Sequence, residues 1–222
     1  MPSYFRQVPD FEYVNRTPGS KIGDYSKVKN LFKRGKLRED IFQDLTFFTK
    51  YQIKGDDRPD NVAYEVYGDP TLDWVVLLSN NILSIQSEWP MTQQAFEEYV
   101  LGKYGNEENL YSSIHHHETI EIKNSQGVVI VPEGLQVSKD YSITYFDFFT
   151  DAYEIKQGIT TPITNYDYEL DLENKKRNIF ILKSRYLNVV NDDMIEIMEY
   201  KKGSTQYVSE TLKRGDNIRL YT

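Results

Sequence analysis

The sequence predicts an α+β protein built on a small βααβ module, with an N-terminal extended arm and helix, a β-rich insertion, and a C-terminal strand followed by a helix. Two patterns predict this class. Apolar residues recur at helical spacing in short stretches between residues 59 and 104 and again at 186–200, whereas residues 118–170 follow the period of two that is typical of strands. The predicted segments are residues 1–44, 45–104, 105–175 and 176–222.

The first 23 residues are predicted to form an extended arm. Prolines at positions 2, 9 and 18 would interrupt a helix there. The arm also carries aromatic anchors that follow no helical stripe, namely Tyr4, Phe5, Phe11 and Tyr13. Such an arm packs either on its own domain or on a neighbour.

A helix is predicted from Asp24 to Gly35, with Val28, Leu31 and Phe32 on its apolar face. This is the only strongly basic stretch of the sequence, through Lys27, Lys29, Lys33 and Arg34. Two interpretations stay open for it. It is either a solvated helix face without a function or a docking site for an acidic partner.

The βααβ module begins with a predicted strand from Leu45 to Ile53, which is rich in β-branched and aromatic residues. The first helix of the module starts at Pro59, because proline suits the first helical position. It ends at Gly68, because glycine readily adopts the left-handed conformation that terminates a helix.

The second helix of the module starts with Asp69 as N-cap and Pro70 as first helical residue, and Ser79-Asn80-Asn81 closes it. Ile82–Ile85 is the predicted second strand. Two such short helices need the packing surface of a two-stranded sheet to remain folded.

Further elements are predicted on the C-terminal side of the module. They are a helix from Thr92 to Tyr104, a hairpin of Thr119–Lys123 with Val128–Val131, strands at Tyr141–Phe149 and Asn178–Lys183, and a helix from Tyr186 to Tyr200. A break at Lys201-Lys202-Gly203 and a polar tail follow.

Composition excludes several classes of function. The net charge of −8, from 34 acidic and 26 basic residues, argues against a dedicated nucleic-acid binder. The sequence has no cysteine, so it forms no disulfides, and no visible export signal or membrane-spanning run leads us to expect a soluble protein. The 18 tyrosines and 11 phenylalanines fit either extensive partner contact or a tyrosine-rich β core.

No catalytic or metal-binding constellation is predicted. In an extended His115-His116-His117 run, successive side chains alternate between faces, so that only the outer two rings converge. A structural or pH-sensitive surface role is therefore preferred over metal binding. The adjacent acid pairs lie beside turns or on helices, where solvated acids are expected, at Asp56-Asp57, Glu97-Glu98, Glu107-Glu108 and Asp192-Asp193. With no nucleophile elbow, phosphate loop or dinucleotide fingerprint, we expect neither an enzyme nor a cofactor.

The helical pair resembles modules of known proteins. Ala63, the Tyr67-Gly68 turn and Asn80 are similar to positions of LysM modules. The fuller pattern, from Arg58-Pro59 to the Tyr-Gly-Asp-Pro and Leu-Asp-Trp-Val runs at 67–75, resembles the LysM-like segment of baseplate wedge subunits of T-even-like contractile-tailed phages. Other runs similar to that family are Leu31–Arg34, Glu88–Pro90, Lys176–Lys183 and Asp192–Met198.

The resemblance implies a structural component of a phage tail baseplate wedge, which joins wedge subunits into the six-fold baseplate around the central hub during tail assembly. The implied partners are other wedge proteins, including the heterotrimeric wedge core, and neighbouring wedges, with hub or sheath-initiating proteins as further candidates. No nucleic acid or membrane is implied. The implied location is the virion tail baseplate, after assembly in the host cytoplasm. The alternative is a peptidoglycan-binding LysM module of a cell-wall-associated or lytic protein.

Two sets of candidate residues follow. The first set is expected to bind partners and comprises Tyr4, Phe5, Phe11, Tyr13, Lys33, Arg34, Arg177, Arg185 and Tyr207. The second set is expected to hold the module together and comprises Pro59, Ala63, Gly68, Asp69, Pro70, Trp74, Asn80 and Trp89. Substitutions at the capping positions of the second set should unfold the module rather than remove an activity.

Overall fold

Helices and strands both occur along the chain in a computed structural model that describes residues 3–215 except 16, 22, 204 and 205. The predicted α+β class is confirmed. The helices are α1 (Tyr4–Gln7), α2 (Glu39–Gln43), α3 (Pro59–Tyr67), α4 (Asp73–Ser79), α5 (Ile85–Glu88), α6 (Gln93–Tyr104), α7 (Glu107–Tyr111), α8 (Asn165–Lys176) and α9 (Leu187–Met198). The strands are β1 (Asp10–Val14), β2 (Tyr25–Lys29), β3 (Phe48–Gln52), β4 (Ile114–Thr119), β5 (Ile122–Lys123), β6 (Val129–Val131), β7 (Gln136–Val137), β8 (Ile143–Asp147), β9 (Ala152–Lys156), β10 (Thr160–Thr164), β11 (Asn178–Leu182), β12 (Tyr207–Ser209) and β13 (Leu212–Gly215). Short 3-10 turns lie at Leu45–Phe47, Pro70–Leu72 and Ser184–Tyr186.

The chain divides into two compact units. The first unit combines Met1–Trp89 with Asn178–Thr222, and the second unit is Pro90–Arg177. The second unit is therefore an insertion in the sequence of the first. None of the helices in the described ranges has the length and apolar composition of a membrane span.

The core of the first unit forms where two helices pack on a two-stranded sheet. β3 and β11 pair antiparallel, and α4 contacts both α3 and β11. The side chains with no exposed surface there are Val62, Ala63, Val75, Val76 and Leu182. Burial of one valine or leucine side chain contributes about 1.5–3 kcal/mol. Packing of this kind stabilises helices that, at 9 and 7 residues, would be marginal in isolation.

Both helices of the module lie where the sequence predicts them. α3 has Pro59 at its first position and ends at Gly68, whose φ of 72° lies in the left-handed region. The Asp69 carboxylate accepts hydrogen bonds from the backbone N–H of Thr71 at 2.9 Å and from its hydroxyl at 2.7 Å. This cap begins a 3-10 turn, Pro70–Leu72, which continues into α4.

The predicted second strand of the module, Ile82–Ile85, is wrong. Asn81 turns the chain with a φ of 52°, residues 82–84 lie outside any strand, and Ile85 begins α5. The strand that pairs with β3 is β11, which follows the entire second unit. Ile82–Ile85 and β11 are both short and apolar. The pairing with β3, which the local sequence does not record, decides which of the two is the strand.

The Asn80 side chain joins the end of α4 to β11. Its amide nitrogen donates to the carbonyl oxygens of Val76 at 2.9 Å and Phe180 at 2.8 Å. Its amide oxygen accepts from the Phe180 backbone N–H at 2.8 Å. The side chain therefore satisfies both backbone groups of Phe180, as a neighbouring strand would.

A second sheet of the first unit brings the chain ends together in the order β12-β13-β1-β2. β1 pairs parallel with β13 and antiparallel with β2. The predicted extended arm is wrong in part, because Tyr4–Gln7 form α1, whereas Asp10–Val14 are extended and pair as β1 within the chain's own sheet. The predicted polar tail is also wrong in part, because it contains β12 and β13. Residues 216–222 of the tail and Pro2 of the predicted arm lie outside the described residues.

The predicted basic helix from Asp24 to Gly35 is wrong as well, because Tyr25–Lys29 form β2. Lys27 and Lys29, two positions apart, lie on one side of that strand, and their ammonium groups contact the Asp10 carboxylate at 3.0 and 2.9 Å. Pairing with β1 overrode a weak helical pattern. Gly35 does not end a helix; a Cβ there would lie 2.3 Å from the Met194 side chain.

The second unit has its own core. Thr92 is the N-cap of α6, as predicted, and its hydroxyl accepts from the Ala95 N–H. Phe96, Val100 and Leu110 of α6 and α7 are buried, and Tyr166 and Leu170 of α8 pack against them. The remaining part of the unit is small antiparallel sheets, β10-β4-β7, β5-β6 and β8-β9. The predicted hairpin is confirmed for β5 and β6, but Thr119 belongs to β4.

Two glutamates of α8 are buried in this unit, and each has a partner. The Glu169 carboxylate accepts from the Lys103 ammonium at 2.7 Å and from the Tyr104 hydroxyl at 2.9 Å. That contact raises the pKa of Lys103. The Glu173 carboxylate accepts from the Met91 N–H and from the Lys176 ammonium. These acids therefore hold elements of the unit together.

Replacement of Asn80 by alanine should destabilise the first unit, because the Phe180 N–H and C=O both lose their partner. We expect a loss of about 2–3 kcal/mol in the free energy of unfolding. Tryptophan fluorescence in a urea titration measures it, since both tryptophans of the sequence, Trp74 and Trp89, lie in the first unit. Asn61→Ala, at an exposed position of α3, is the control. Equal stability of Asn80→Ala and the wild type would contradict this assignment.

Gly68→Ala should destabilise the protein by about 1–2 kcal/mol, because a residue with a Cβ is strained at a φ of 72° although nothing lies within 4 Å of that Cβ. Gly102→Ala is the matched control. Gly102 also has open space around it but lies inside α6, so alanine there should stabilise by about 0.5–1 kcal/mol. Thermal unfolding followed by circular dichroism should shift in opposite directions for the two variants.

Candidate partner-binding surfaces

An apolar groove lies beside α1 and α4 in the first unit and has a volume of about 450 Å³. We call it the α1–α4 groove. Its lining residues are Ser3, Tyr4, Phe5, Arg34, Asp73, Trp74, Leu77, Leu78, Ile82, Leu83 and Ile85. Three residues predicted to bind partners, and one predicted to hold the module, therefore share a single surface.

The aromatic wall of the groove is built by α1. The Tyr4 ring lies 5.6 Å from the Phe5 ring and 6.4 Å from the Trp74 ring, measured between centroids. The Tyr4 hydroxyl accepts from the Gly35 N–H at 3.1 Å, which fixes α1 to the segment after β2. Tyr4 is thus an anchor within the chain, whereas Phe5 is 63% exposed and open to a partner.

The opposite wall follows α4. Ile82 closes the end of α4 through its N–H, which donates to the Leu77 carbonyl at 2.9 Å. Leu83 and Ile85 then face solvent, with 65% and 49% of their surface exposed. The Glu88 carboxylate accepts from the N–H groups of Ser84 and Leu83, and these bonds lower the pKa of Glu88. The exposed apolar residues therefore lie on a backbone that is held in place.

Two charged residues border the groove. The Arg34 guanidinium is exposed and donates to the Asn81 side-chain oxygen at 3.3 Å. Asp73 is half-buried, and its burial raises the pKa of its carboxyl although the Trp74 N–H donates to it. Trp74 itself is 4% exposed, and no hydrogen-bond partner for its indole N–H is present in the described chain. The groove is thus mainly apolar with one cation at its rim.

Lys33, another predicted partner-binding residue, has contacts within the chain. Its ammonium donates to the carbonyl oxygens of Ile197 at 2.9 Å and Glu199 at 2.7 Å, at the end of α9. Burial and the neighbouring Lys213 and Lys201 lower the pKa of Lys33. Cations stabilise the unpaired carbonyls at a helix C-terminus. The structure therefore gives Lys33 a capping role, and binding of a partner by Lys33 stays a prediction.

The remaining predicted residues are dispersed. Phe11, Tyr13 and Tyr207 lie in the sheet of the chain ends, where Phe11 approaches Gly215 and only Tyr13 is well exposed. Arg185 is exposed, with its guanidinium 4.8 Å from the Tyr186 ring centroid. Arg177 is half-buried at the end of α8, in the second unit.

Four of the positions predicted to hold the module have buried side chains, and the structural role of the set stays a prediction. Pro59 and Ala63 are buried in α3. Trp89 is 5% exposed, and its indole N–H donates to the Asp57 carbonyl at 2.9 Å, in the loop between β3 and α3. The Trp89 bond joins the residue after α5 to the loop before α3, and the Asn80 side chain joins the end of α4 to β11.

The three histidines lie on β4, and the expected convergence of the outer two is wrong. A bulge in the pairing of β4 with β10 lies at His115, between the partners of Ile163 and Thr164. A bulge turns two successive side chains to one side of a strand. The Nδ1 atoms of His115 and His116 are accordingly 2.9 Å apart, and the His115 ring stacks on Tyr168 at 3.9 Å. No group of three or more potential metal ligands occurs among the described residues.

Two exposed apolar surfaces were missed at the sequence level. Leu31 and Phe32 follow β2 and are 72% and 102% exposed, although the predicted helix placed them on its apolar face. The second surface is the β8–β9 hairpin, where Phe148 is 87% exposed. The sequence signal for this hairpin was the set of aromatic residues on either side of Thr150-Asp151, namely Tyr145, Phe146, Phe148, Phe149 and Tyr153. The period of two identified the strand but not which face meets solvent.

Comparison with known proteins identifies the family of this chain. A family model described as Base plate wedge protein 53 matches residues 5–197, from α1 to α9 and across both units. Baseplate wedge protein gp53 of Enterobacteria phage T4 is 29% identical over 157 residues, which are 69% of this chain and 75% of that protein. The match covers most of the chain, and this chain therefore belongs to the Base plate wedge protein 53 family.

Proposed function

We propose that this protein joins wedge subunits into the six-fold baseplate around the central hub during tail assembly. Its family membership makes it a structural component of a phage tail baseplate wedge, located in the virion tail. The observation that supports the joining role is the α1–α4 groove, an apolar surface on a backbone that is held by hydrogen bonds. The proposed partners are other wedge proteins, including the heterotrimeric wedge core, and neighbouring wedges, with hub or sheath-initiating proteins as further candidates.

The composition of the groove supports a protein partner. Phe5, Leu83 and Ile85 are each about half exposed or more, and grouped exposed apolar side chains are typical of interaction sites. A partner that inserts an apolar side chain would bury them, and an acceptor group beside it could meet Arg34. Buried apolar anchors of this kind dominate the energy of most interfaces.

We further propose that the protein is not an enzyme. The buried acids Glu169 and Glu173 contact lysines of their own unit, and Asp147 accepts from the Ser125 hydroxyl. Only the family membership and this use of the acids in packing support the proposal.

The LysM-like character of the module also remains a proposal. It is supported by the order β3-α3-α4-β11 and by Asn80, which links α4 to the second strand. The alternative function, peptidoglycan binding, is less favoured, because the family match concerns a wedge protein. A hollow of about 240 Å³ between Val66 of α3 and Leu182 of β11 is the surface on which that alternative would be tested, by sedimentation with purified cell wall.

Replacement of Leu83 by lysine should reduce incorporation into wedges at least about tenfold, because a buried ammonium without a partner opposes binding. The wedge proteins of the same phage are co-expressed with each variant, and the products are sized by sedimentation and imaged by electron microscopy. Leu45→Lys is the matched control, since Leu45 is 66% exposed and lies outside the groove.

With the wild-type chain we expect complete rings, and without any copy of the chain only separate wedges. A fully occupied ring that lacks the chain would refute the joining role. Normal incorporation of Leu83→Lys, with rings formed only when the chain is present, would show that the groove is not the contact surface.

A further inference from the structure

The β8–β9 hairpin is a two-stranded sheet by itself within the described part of the chain. Its register pairs Thr144 with Ile155 and Phe146 with Tyr153. Side chains alternate between the two faces of a strand. One face of the hairpin therefore carries Thr144, Phe146, Tyr153 and Ile155, and the other carries Ile143, Tyr145, Asp147, Ala152, Glu154 and Lys156.

The second of these faces is mainly polar and fixed. The Tyr145 hydroxyl donates to the Glu154 carboxylate at 2.9 Å, and the Lys156 ammonium contacts the same carboxylate at 2.9 Å. Asp147 is 2% exposed and accepts from the Ser125 hydroxyl at 2.8 Å, which ties the hairpin to the turn between β5 and β6. The hydrogen bonds from the Phe149 N–H and from Ser125 lower the pKa of Asp147. A polar contact, between Asp147 and Ser125, therefore joins the hairpin to its own unit.

The first face and the tip of the hairpin are apolar and exposed. Tyr153 and Ile155 are 76% and 63% exposed, and Phe148 and Phe149 at the tip are 87% and 74% exposed. The Phe146 ring lies 5.1 Å from both the Phe148 and the Tyr153 rings, edge to face. An antiparallel sheet normally turns its apolar face to the core and its polar face to water. This hairpin has the reverse arrangement.

We infer that the β8–β9 hairpin is a docking element that inserts its apolar face and tip into a neutral, apolar cleft of a different wedge protein. The inference rests on the proposed function, because it assumes that the chain assembles with other wedge proteins. It adds a second contact, in the second unit, to the α1–α4 groove in the first.

The exposed area fits an interface of ordinary size. Three aromatic side chains and one isoleucine at these exposures present on the order of 600 Å². A stable interface buries about 800 Å² on each partner, so this surface supplies most of one side. A monomer seldom exposes a larger apolar patch. An isolated two-stranded hairpin is also marginally stable in water, so that contact with a partner would stabilise it.

The charges of the hairpin identify the chemistry of the partner. Asp151, at the tip, is the one ionisable side chain besides the tyrosine among the exposed face and tip residues 144, 146, 148–151, 153 and 155. A nucleic acid or an anionic membrane would require lysine or arginine at this face. A neutral apolar cleft requires neither. The partner surface is therefore expected to be apolar and to pack against the aromatic rings of the hairpin, without charged groups that pair with it.

The test uses the full chain with Phe148→Ser and Tyr153→Ser combined, and separately Ile155→Thr, which retains a β-branched residue in the strand. Tyr64→Ser on α3 is the matched control, because Tyr64 is 65% exposed and lies in the first unit. Binding of each variant to the complex of the remaining wedge proteins is measured by sedimentation. Hydrogen exchange of residues 143–156 is compared between the free and the bound chain, and circular dichroism checks folding.

We expect the double variant to bind at least about tenfold more weakly, Ile155→Thr to bind more weakly by a smaller factor, and Tyr64→Ser to bind as the wild type does. Hairpin amides should exchange more slowly in the complex. If the wild type binds and both hairpin variants bind as tightly as the wild type, the docking role is refuted while the proposed function stands. If the wild type itself does not bind, the proposed function and the docking role both fail.

Two further results would assign the hairpin to another occupant and so overturn the inference. One is a dimer of the chain alone that the double variant abolishes. The other is flotation of the wild type, but not of the double variant, with phosphatidylcholine and phosphatidylglycerol vesicles.

Discussion

The pairing of β3 with β11 is the constraint on which the first unit depends. The helices α3 and α4 are short and need the two-stranded sheet beneath them, yet the second strand arrives only after the 88 residues of Pro90–Arg177. Closing so long a loop costs little more entropy than closing one of half the length. The Asn80 amide then selects the strand, since it satisfies both backbone groups of Phe180. The same pairing brings the chain back to α9 and the sheet of the chain ends.

This arrangement separates stability from recognition. In the first unit, the module encloses its central apolar side chains, such as Ala63, and Asn80 links α4 to β11, whereas exposed apolar side chains lie at its margins. The α1–α4 groove is such a margin, formed where α1 and the segment after α4 leave Phe5 and Leu83 uncovered. A subunit of a multi-protein particle gains from this division, because a backbone that is already held by hydrogen bonds loses little entropy on binding.

The second unit also separates the groups that hold it together from those that are exposed, but here buried polar groups join its elements. Its buried polar groups, Glu169, Glu173 and Asp147, hold its elements together through lysines, hydroxyls and backbone N–H groups. Because polar contacts fix the β8–β9 hairpin to its unit, the apolar side chains of the hairpin are available to a partner. Membership of a baseplate wedge family gives such a surface a context, since it implies interaction with other baseplate proteins.

The sequence by itself determined the α+β class and the resemblance to wedge proteins. It also determined α3 and α4 with their caps at Pro59, Gly68 and Asp69, together with α6, β11 and α9. These features depend on residues that are close together in the chain. Tertiary structure decided the rest. β1 pairs with a strand about 200 positions away, which turned a predicted arm into sheet, and pairing with β1 made β2 a strand although its apolar residues fit a helix. The groove combines Phe5, Arg34 and Leu83 from distant segments, and the outward face of the hairpin depends on what lies behind it. A local pattern records the period of an element but not its partner, and the partner sets which face is buried.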